Sequence, residues 1–335
     1  MMKRRIKQGG AMALAAALMF SAFALPDAYA APGVETDKEC SVEVIAAHDQ
    51  FSELQNLPIT VKLYRVADIA VTGAYTATEA FAEADFSDID SDTVAAVWEE
   101  KAVLAKEIVD TTEAEADAEA ECAEGKATFE GLPTGMYLVD AQPVDSDYNT
   151  YEFTPYLVSL PNNYYYSSED GDDTWVYDLT GENAIGLKPE KSDRYGDLII
   201  NKTLDVYNAT NEGAYFVFQV EATKTDVDTE EVRVVYSNVV AMTFDGTATH
   251  SVKIEKIPAG ADVVVTEIYS GANYELTTEE SATTIIIAED AVEVDFVNTH
   301  DGGQNGGTGL VNTFAYNEGE WTHNATVDSS VEAAE

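Results

Sequence analysis

Two short stretches, LIINK at residues 198–202 and VDFVN at residues 294–298, decide how this chain is read. Each is an apolar run of strand length that ends on a polar side chain. Between them, residues 215–220, 232–235, 239–244, 251–257, 262–268 and 283–287 are rich in Val, Ile, Thr, Tyr and Phe. Turn residues separate most of these runs at short intervals. The spacing predicts an all-β sandwich of about 100 residues from Asp197 onward.

Upstream, CSVEVI (40–45) and ITVKLYRV (59–66) alternate with period two and read as strands. The period then changes. Residues 92–109 (DTVAAVWEEKAVLAKEIV) carry apolar side chains at helical spacing, with Ser91 or Asp92 as a natural N-cap. Residues 111–124 form an Ala/Glu/Asp run, expected as a solvated helix or a mobile insert. Strands resume at 126–130, 136–139 and 155–160, with a turn at 131–135. The pattern predicts a second sandwich with a helical excursion. Residues 188–194 are polar, contain a proline and are expected to be a linker. After residue 300 comes a Gly/Asn-rich hinge; residues 310–316 can add one strand, and 324–335 are expected to lack order.

Export is written at the N-terminus. Lys3, Arg4, Arg5 and Lys7 precede the apolar run 11–25, and Ala28-Tyr29-Ala30 has the small residues of a cleavage site. Residues 1–30 are therefore expected to be a signal peptide, with Ala31 as the mature start and no membrane insertion afterwards. The chain has 18 Lys+Arg against 62 Asp+Glu, a net charge of −44 that argues against nucleic acid and anionic membranes as partners. Only Cys40 and Cys122 are cysteines. In an exported protein they are expected to form a disulfide, closing a loop of about 80 residues and contributing around 4 kcal/mol. The alternative is two buried free thiols.

Familiar catalytic sets are missing from the sequence. His48, His250, His300 and His323 are scattered without metal-ligand spacing, and no G-x-S-x-G, H-E-x-x-H or P-loop occurs. Asp88, Asp90, Asp92 and Glu99 mimic a calcium loop, but Thr93 stands where that loop needs glycine. No metal and no cofactor are expected. One set is harder to explain as scaffold. Lys202 sits in an apolar first strand, Asn298 ends an apolar last strand, and Glu267 interrupts the Val-rich run 262–268. If first and last strands are neighbours, Lys202 and Asn298 can meet in the core, with Glu267 arriving from the facing sheet. Burial lowers a lysine pKa and raises a carboxyl pKa, so a neutral amine can attack a carboxamide polarised by a protonated acid. The product is a Lys–Asn isopeptide bond. The alternative is three residues on solvent faces.

Residues 195–300 resemble the CnaB-like repeat domains of Gram-positive pilins and adhesins, carried by LIINKTL (198–204), AYFVFQV (214–220), VTEIYSG (265–271) and VDFVNT (294–299). The resemblance implies that Lys202 and Asn298 are crosslinked, with Glu267 as the promoting acid; Asn312 is a weaker rival acceptor. Residues 36–187 resemble the N-terminal domain of SpaA-type pilins, through LYRV (63–66), LPTGMYLV (132–139) and PYLVSLP (155–161). WVYDL (175–179) followed by LKPEK (187–191) is similar to the pilin motif, whose lysine attacks a sortase-bound neighbour. Here either Lys188 or Lys191 can fill that place, or both are linker lysines. The first strand of this domain has no lysine and Asp140 stands where a glutamate is usual, so no isopeptide bond is expected there.

The implied fold class is mainly β: tandem immunoglobulin-like, CnaB-like sandwiches, the first with a helical insertion. The implied function is an extracellular pilin-like structural subunit, secreted or attached to a Gram-positive cell wall or pilus, and not a turnover enzyme. Its expected partners are other pilin subunits and a sortase. The sequence as written shows no L-P-x-T-G signal, so it is expected to accept a neighbour through a lysine, assemble non-covalently or be released. The competing expectation is an adhesin. Tyrosines within residues 162–166, Trp175 and the acidic residues at 169–173 would then form a face for a host protein or glycan.

Overall fold

The computed structural model describes residues 33–46, 50–89, 93–163, 175–209, 213–271, 273–300, 302, 309–317 and 320–328. Residues 1–32, which include the expected signal peptide, and the tyrosine-rich stretch 164–174 lie outside them. The chain is mainly β and falls into two compact units. One contains the residues up to Arg194 together with Asp226–Glu231, the other Tyr195–Thr225 and the chain from Val232 on.

The first unit contains β1 (Cys40–Ile45), β2 (Thr60–Ile69), β3 (Tyr75–Ala77), α1 (Ala95–Thr112), β4 (Ala118–Glu121), β5 (Lys126–Leu132), β6 (Gly135–Ala141), β7 (Val144–Asp145), β8 (Asn149–Phe153) and β9 (Tyr156–Leu160). The short pieces β10 (Asn162–Asn163), β11 (Trp175–Val176), β12 (Asp178–Leu179) and β13 (Ile185–Gly186) follow, and β14 (Pro189–Asp193) closes it. One sheet is built on β1, which runs antiparallel to β5 and parallel to β12 and β13. A second has the order β3-β2-β6-β9, with β4 added along β2, and β14-β8-β7 and β10-β11 form two smaller sheets. Val42 and Val44 from the first sheet meet Leu63, Tyr137, Val139 and Val158 from the second in one core. On the other side of β2 and β6, Tyr64, Val66, Met136 and Leu138 pack with Ala102, Ala105, Ile108 and Val109 of α1. Covered on both faces, β6 is buried along its whole length. That is why GMYLVDA is almost continuously apolar instead of alternating.

Four expectations need correction here. The helix starts at Ala95 rather than at 92, with Val94 in the extended N-cap position and without a cap from its own side chain; Ser91 and Asp92 lie outside the described residues. Residues 111–124 are not a longer helix. Glu113 adopts φ 52°, closing α1, and Ala118–Glu121 pair with Thr60–Leu63, their glutamates outward and alanines half-buried. A period of two lay inside a helix-favouring composition. The stretch 188–194 is not an unpaired linker: Pro189–Asp193 hydrogen-bond along β8, and their polarity reflects exposure rather than lack of partners. Finally, Cys40 and Cys122 are free and buried. Cys40 lies on β1 opposite Leu132, whereas Cys122 follows β4 at the edge of the other sheet, its amide bonded to the Ile59 carbonyl. Burial pushes each thiol up to about 11.

In the second unit the strands are β15 (Tyr195–Leu204), β16 (Ala214–Thr225), β17 (Val232–Phe244), β18 (Ala248–Pro258), β19 (Asp262–Tyr269), β20 (Tyr274–Leu276), β21 (Ser281–Ile285) and β22 (Ala291–His300). They make a sandwich of two four-stranded sheets, β18-β15-β22-β20 and β17-β16-β19-β21. Leu198, Ile200, Val294 and Phe296 from one face Phe216, Phe218, Val220 and Val265 from the other. The runs 232–235 and 239–244 are one long strand, and β20 is too short to have been legible. β23 (Gly309–Asn317) and β24 (Glu320–Asp328) form a hairpin, so strand structure extends through part of the stretch 324–335 that was expected to lack order. No helix among the described residues is long and apolar enough to cross a membrane.

Candidate functional site

The first and last strands of the second sandwich, β15 and β22, are parallel neighbours. Because strand side chains alternate, Leu198, Ile200, Lys202 and Leu204 all point inward, as do Val294, Phe296 and Asn298. Lysine and asparagine therefore share a core face with five apolar residues. β19 belongs to the opposite sheet, and its inward positions are Val263, Val265 and Glu267. Glu267 stands opposite Phe218 of β16, which sets its height in the core.

The three polar side chains converge. Lys202 Nζ donates to Glu267 Oε2 at 2.6 Å and also to Asn298 Oδ1. Asn298 Nδ2 donates to Glu267 Oε1 at 2.7 Å, and lies 3.5 Å from the Ser270 carbonyl oxygen. Lys202 and Asn298 are fully enclosed and Glu267 is 3% exposed. One carboxylate thus holds amine and carboxamide together, one oxygen to each. Burial pushes the Lys202 pKa below its ordinary value, opposed by the hydrogen bond and charge of Glu267. The Phe216 and Phe218 rings lie 4.5 Å and 5.7 Å from Nζ. They exclude water on that side. Their role was not read from the sequence, although the inward alternation of AYFVFQV was available as a signal.

Lys188 and Lys191 belong to the first unit. The Lys188 ammonium sits 5.3 Å from the Tyr156 ring centroid. Lys191, on β14, is flanked by Asp226 at 3.6 Å and Asp228 at 3.5 Å. Asp140 is buried, with Lys106 Nζ at 3.8 Å and Gln142 Nε2 donating to it at 3.1 Å. Burial raises its pKa, while Lys106 opposes that rise. Asn312 falls on β23, where side chains are not described. Asp90 and Asp92 lie outside the described residues, and Asp88 is ion-paired with Lys101 at 2.9 Å. Among the described residues no group of His, Cys, Asp and Glu is placed to hold a metal ion.

Residues 198–301 match a domain family of unknown function, DUF5979, which takes in the whole Lys202, Glu267 and Asn298 cluster. No curated protein matches the chain. Among solved structures, GBS52, the minor pilin of Streptococcus agalactiae, is 17% identical, with 78% of this chain and 95% of that one covered at a TM-score of 0.22. The shaft pilin SpaA of Lactobacillus rhamnosus GG is 12% identical, covering 80% and 100%, at 0.28. The major pilin of Streptococcus pyogenes is 13% identical, covering 78% and 98%, at 0.23. TM-scores this low establish no shared overall arrangement.

Proposed function

We propose that this chain is an exported structural subunit of a Gram-positive cell surface, pilin-like in role, whose second sandwich ties itself shut with a Lys202–Asn298 isopeptide bond. The observation that carries the reading is the enclosed contact of an amine and a carboxamide from the terminal strands with a carboxylate from the facing sheet. Burying an ion pair is costly, and replacement by apolar residues of similar volume is often neutral or better. A lysine, a glutamate and an asparagine kept in a core call for a chemical use. The first step passes a proton from Lys202 Nζ to Glu267, leaving a neutral amine beside the carboxamide. Nζ then attacks Asn298 Cγ while protonated Glu267 polarises the carboxamide. Glu267 delivers its proton to the departing nitrogen and takes one from the attacking nitrogen. A C–N amide bond forms, the Cγ–Nδ2 bond breaks, and ammonia leaves. The reaction happens once per molecule and needs no cofactor; Glu267 ends protonated and regains its carboxylate when that last proton passes to the ammonia, which departs as ammonium.

Such a tie suits a load-bearing role. Joining first and last strands covalently prevents peeling of the sandwich from its ends and slows access of proteases to the unfolded chain. The resemblance to pilin segments and the acidic, exportable composition support the same reading. Subunit linkage through Lys188 or Lys191 belongs with it.

Intact mass of the recombinant chain from Ala31, measured under reducing conditions, tests the bond. Loss of ammonia lowers the mass by about 17 Da, mapped to a joined Lys202 and Asn298 peptide and abolished by Glu267→Ala. An unmodified mass would remove the isopeptide and the load-bearing argument built on it.

A further inference from the structure

The two outer faces of the second sandwich differ in charge. The face of β18-β15-β22-β20 carries Asp197, Lys253, Glu255, Glu293 and Asp295, some of them paired. The opposite face, on β17-β16-β19-β21, is made of the outward positions within residues 215–225, 232–243, 262–269 and 281–285. Glu221 and Asp262 are the charged residues among them. Tyr215, Val239, Ile268 and Ile285 on this face are each at least half exposed. In a chain of net charge −44, a whole sheet face of Val, Thr, Ser, Ile and Tyr is an unusual allocation.

The C-terminal hairpin carries apolar residue types at register positions of one side. Its register places Leu310 with Val327, Asn312 with Ala325, Phe314 with His323 and Tyr316 with Trp321 at positions sharing one side. Val311 with Thr326, Thr313 with Asn324 and Ala315 with Thr322 share the other. A two-stranded hairpin alone is marginal in water and needs a surface. The low-charge face stands uncovered in the single chain although the hairpin is tethered to the same unit. We propose that the hairpin 309–328 of one copy docks its Leu310, Phe314, Tyr316 and Trp321 positions on the β17-β16-β19-β21 face of a second copy. The contact is heterologous: each copy offers both a hairpin and a face, so association does not close and runs on as a fibre. It is independent of the Lys202–Asn298 bond.

Sedimentation velocity of the chain from Ala31 tests this at about 0.15 M salt, where a Debye length of about 8 Å screens the net charge. The wild type is expected to form a concentration-dependent series beyond the dimer. A face variant, Val239→Asp with Val264→Asp, and a hairpin variant, Phe314→Asp with Trp321→Asp, should each remain monomeric. Mixed in equal amounts they should form one-to-one dimers and nothing larger, because only one productive contact survives. Gln219→Glu with Thr283→Glu charges the same face without changing an apolar side chain, and should reproduce the face result if the first variant misfolds. A monomeric wild type would overturn the proposal in favour of an unused or internally covered face. Dimers of the hairpin variant alone would overturn it in favour of face-to-face pairing.

Discussion

Lys202 and Asn298 meet although they are not register partners. On the parallel pair β15 and β22, Lys202 stands opposite Phe296, and Asn298 stands opposite Leu204. The lysine side chain reaches two residues along the sheet, which places its amine level with Glu267 of the facing sheet. The length of lysine is used in full. A shorter amine at 202 would stop beside Phe296.

Without the bond, Glu267 is expected still to support the buried lysine. Asn298→Ala blocks bond formation but retains the Lys202–Glu267 pair. Adding Glu267→Ala leaves a fully buried amine without its counter-charge. Breaking a buried pair on one side costs about 3–5 kcal/mol. Urea unfolding of the single and double variants should show a loss of that order. Equal midpoints would mean that the carboxylate does not support the lysine.

The pH dependence of the same uncrosslinked Asn298→Ala variant has a definite sign. Burial holds the Lys202 pKa below the 10.5 of the unfolded chain. Between those two values the unfolded state binds the extra proton, so stability rises with pH and is lost as pH falls through the folded value. Thermal melts between about pH 7 and pH 10 should rise relative to a Lys202→Met, Asn298→Ala control, which lacks the titrating amine. Parallel curves would show that Lys202 is not desolvated.

Gly196 fixes where β15 begins. A Cβ there would lie 2.0 Å from the Ile287 carbonyl oxygen and 3.0 Å from that of Asp290, both main-chain atoms that cannot rotate aside. Gly196→Ala is expected to cost about 1–3 kcal/mol by forcing the strand away from this turn. Chemical denaturation would register the loss, and a neutral substitution would mean the turn yields freely.

The two cysteines should behave as core residues. With both thiols enclosed and raised to about 11 by burial, little thiolate exists at pH 8. Iodoacetamide should leave the folded chain unlabelled and add two groups in denaturant, as read by mass. Rapid labelling of the native protein would contradict the enclosure of Cys40 and Cys122.

Much of the second sandwich was legible because its apolar residues keep period two in short, turn-bounded runs. LIINK and VDFVN announced polar side chains on otherwise apolar strands. The first unit was harder. AEAE at 118–121 has the composition of a helix and the alternation of a strand, and pairing with β2 decided between them. The polar run 189–193 looked like a connector because an exposed strand needs no apolar side chains, only a neighbour to bond. The cysteine count was visible, but a disulfide depends on two Cβ positions in space, which no spacing along the chain fixes.

By itself the sequence determined the β class, the helical excursion, the acidity and the three residues worth watching at 202, 267 and 298, because each is a local property of composition and period. Tertiary structure decided that β15 and β22 are parallel neighbours, that Glu267 faces them across the core, and that Phe216 and Phe218 close the site. These depend on contacts between residues up to 96 positions apart. Which face of a strand turns inward, and what it meets there, is set only when the sheets pack.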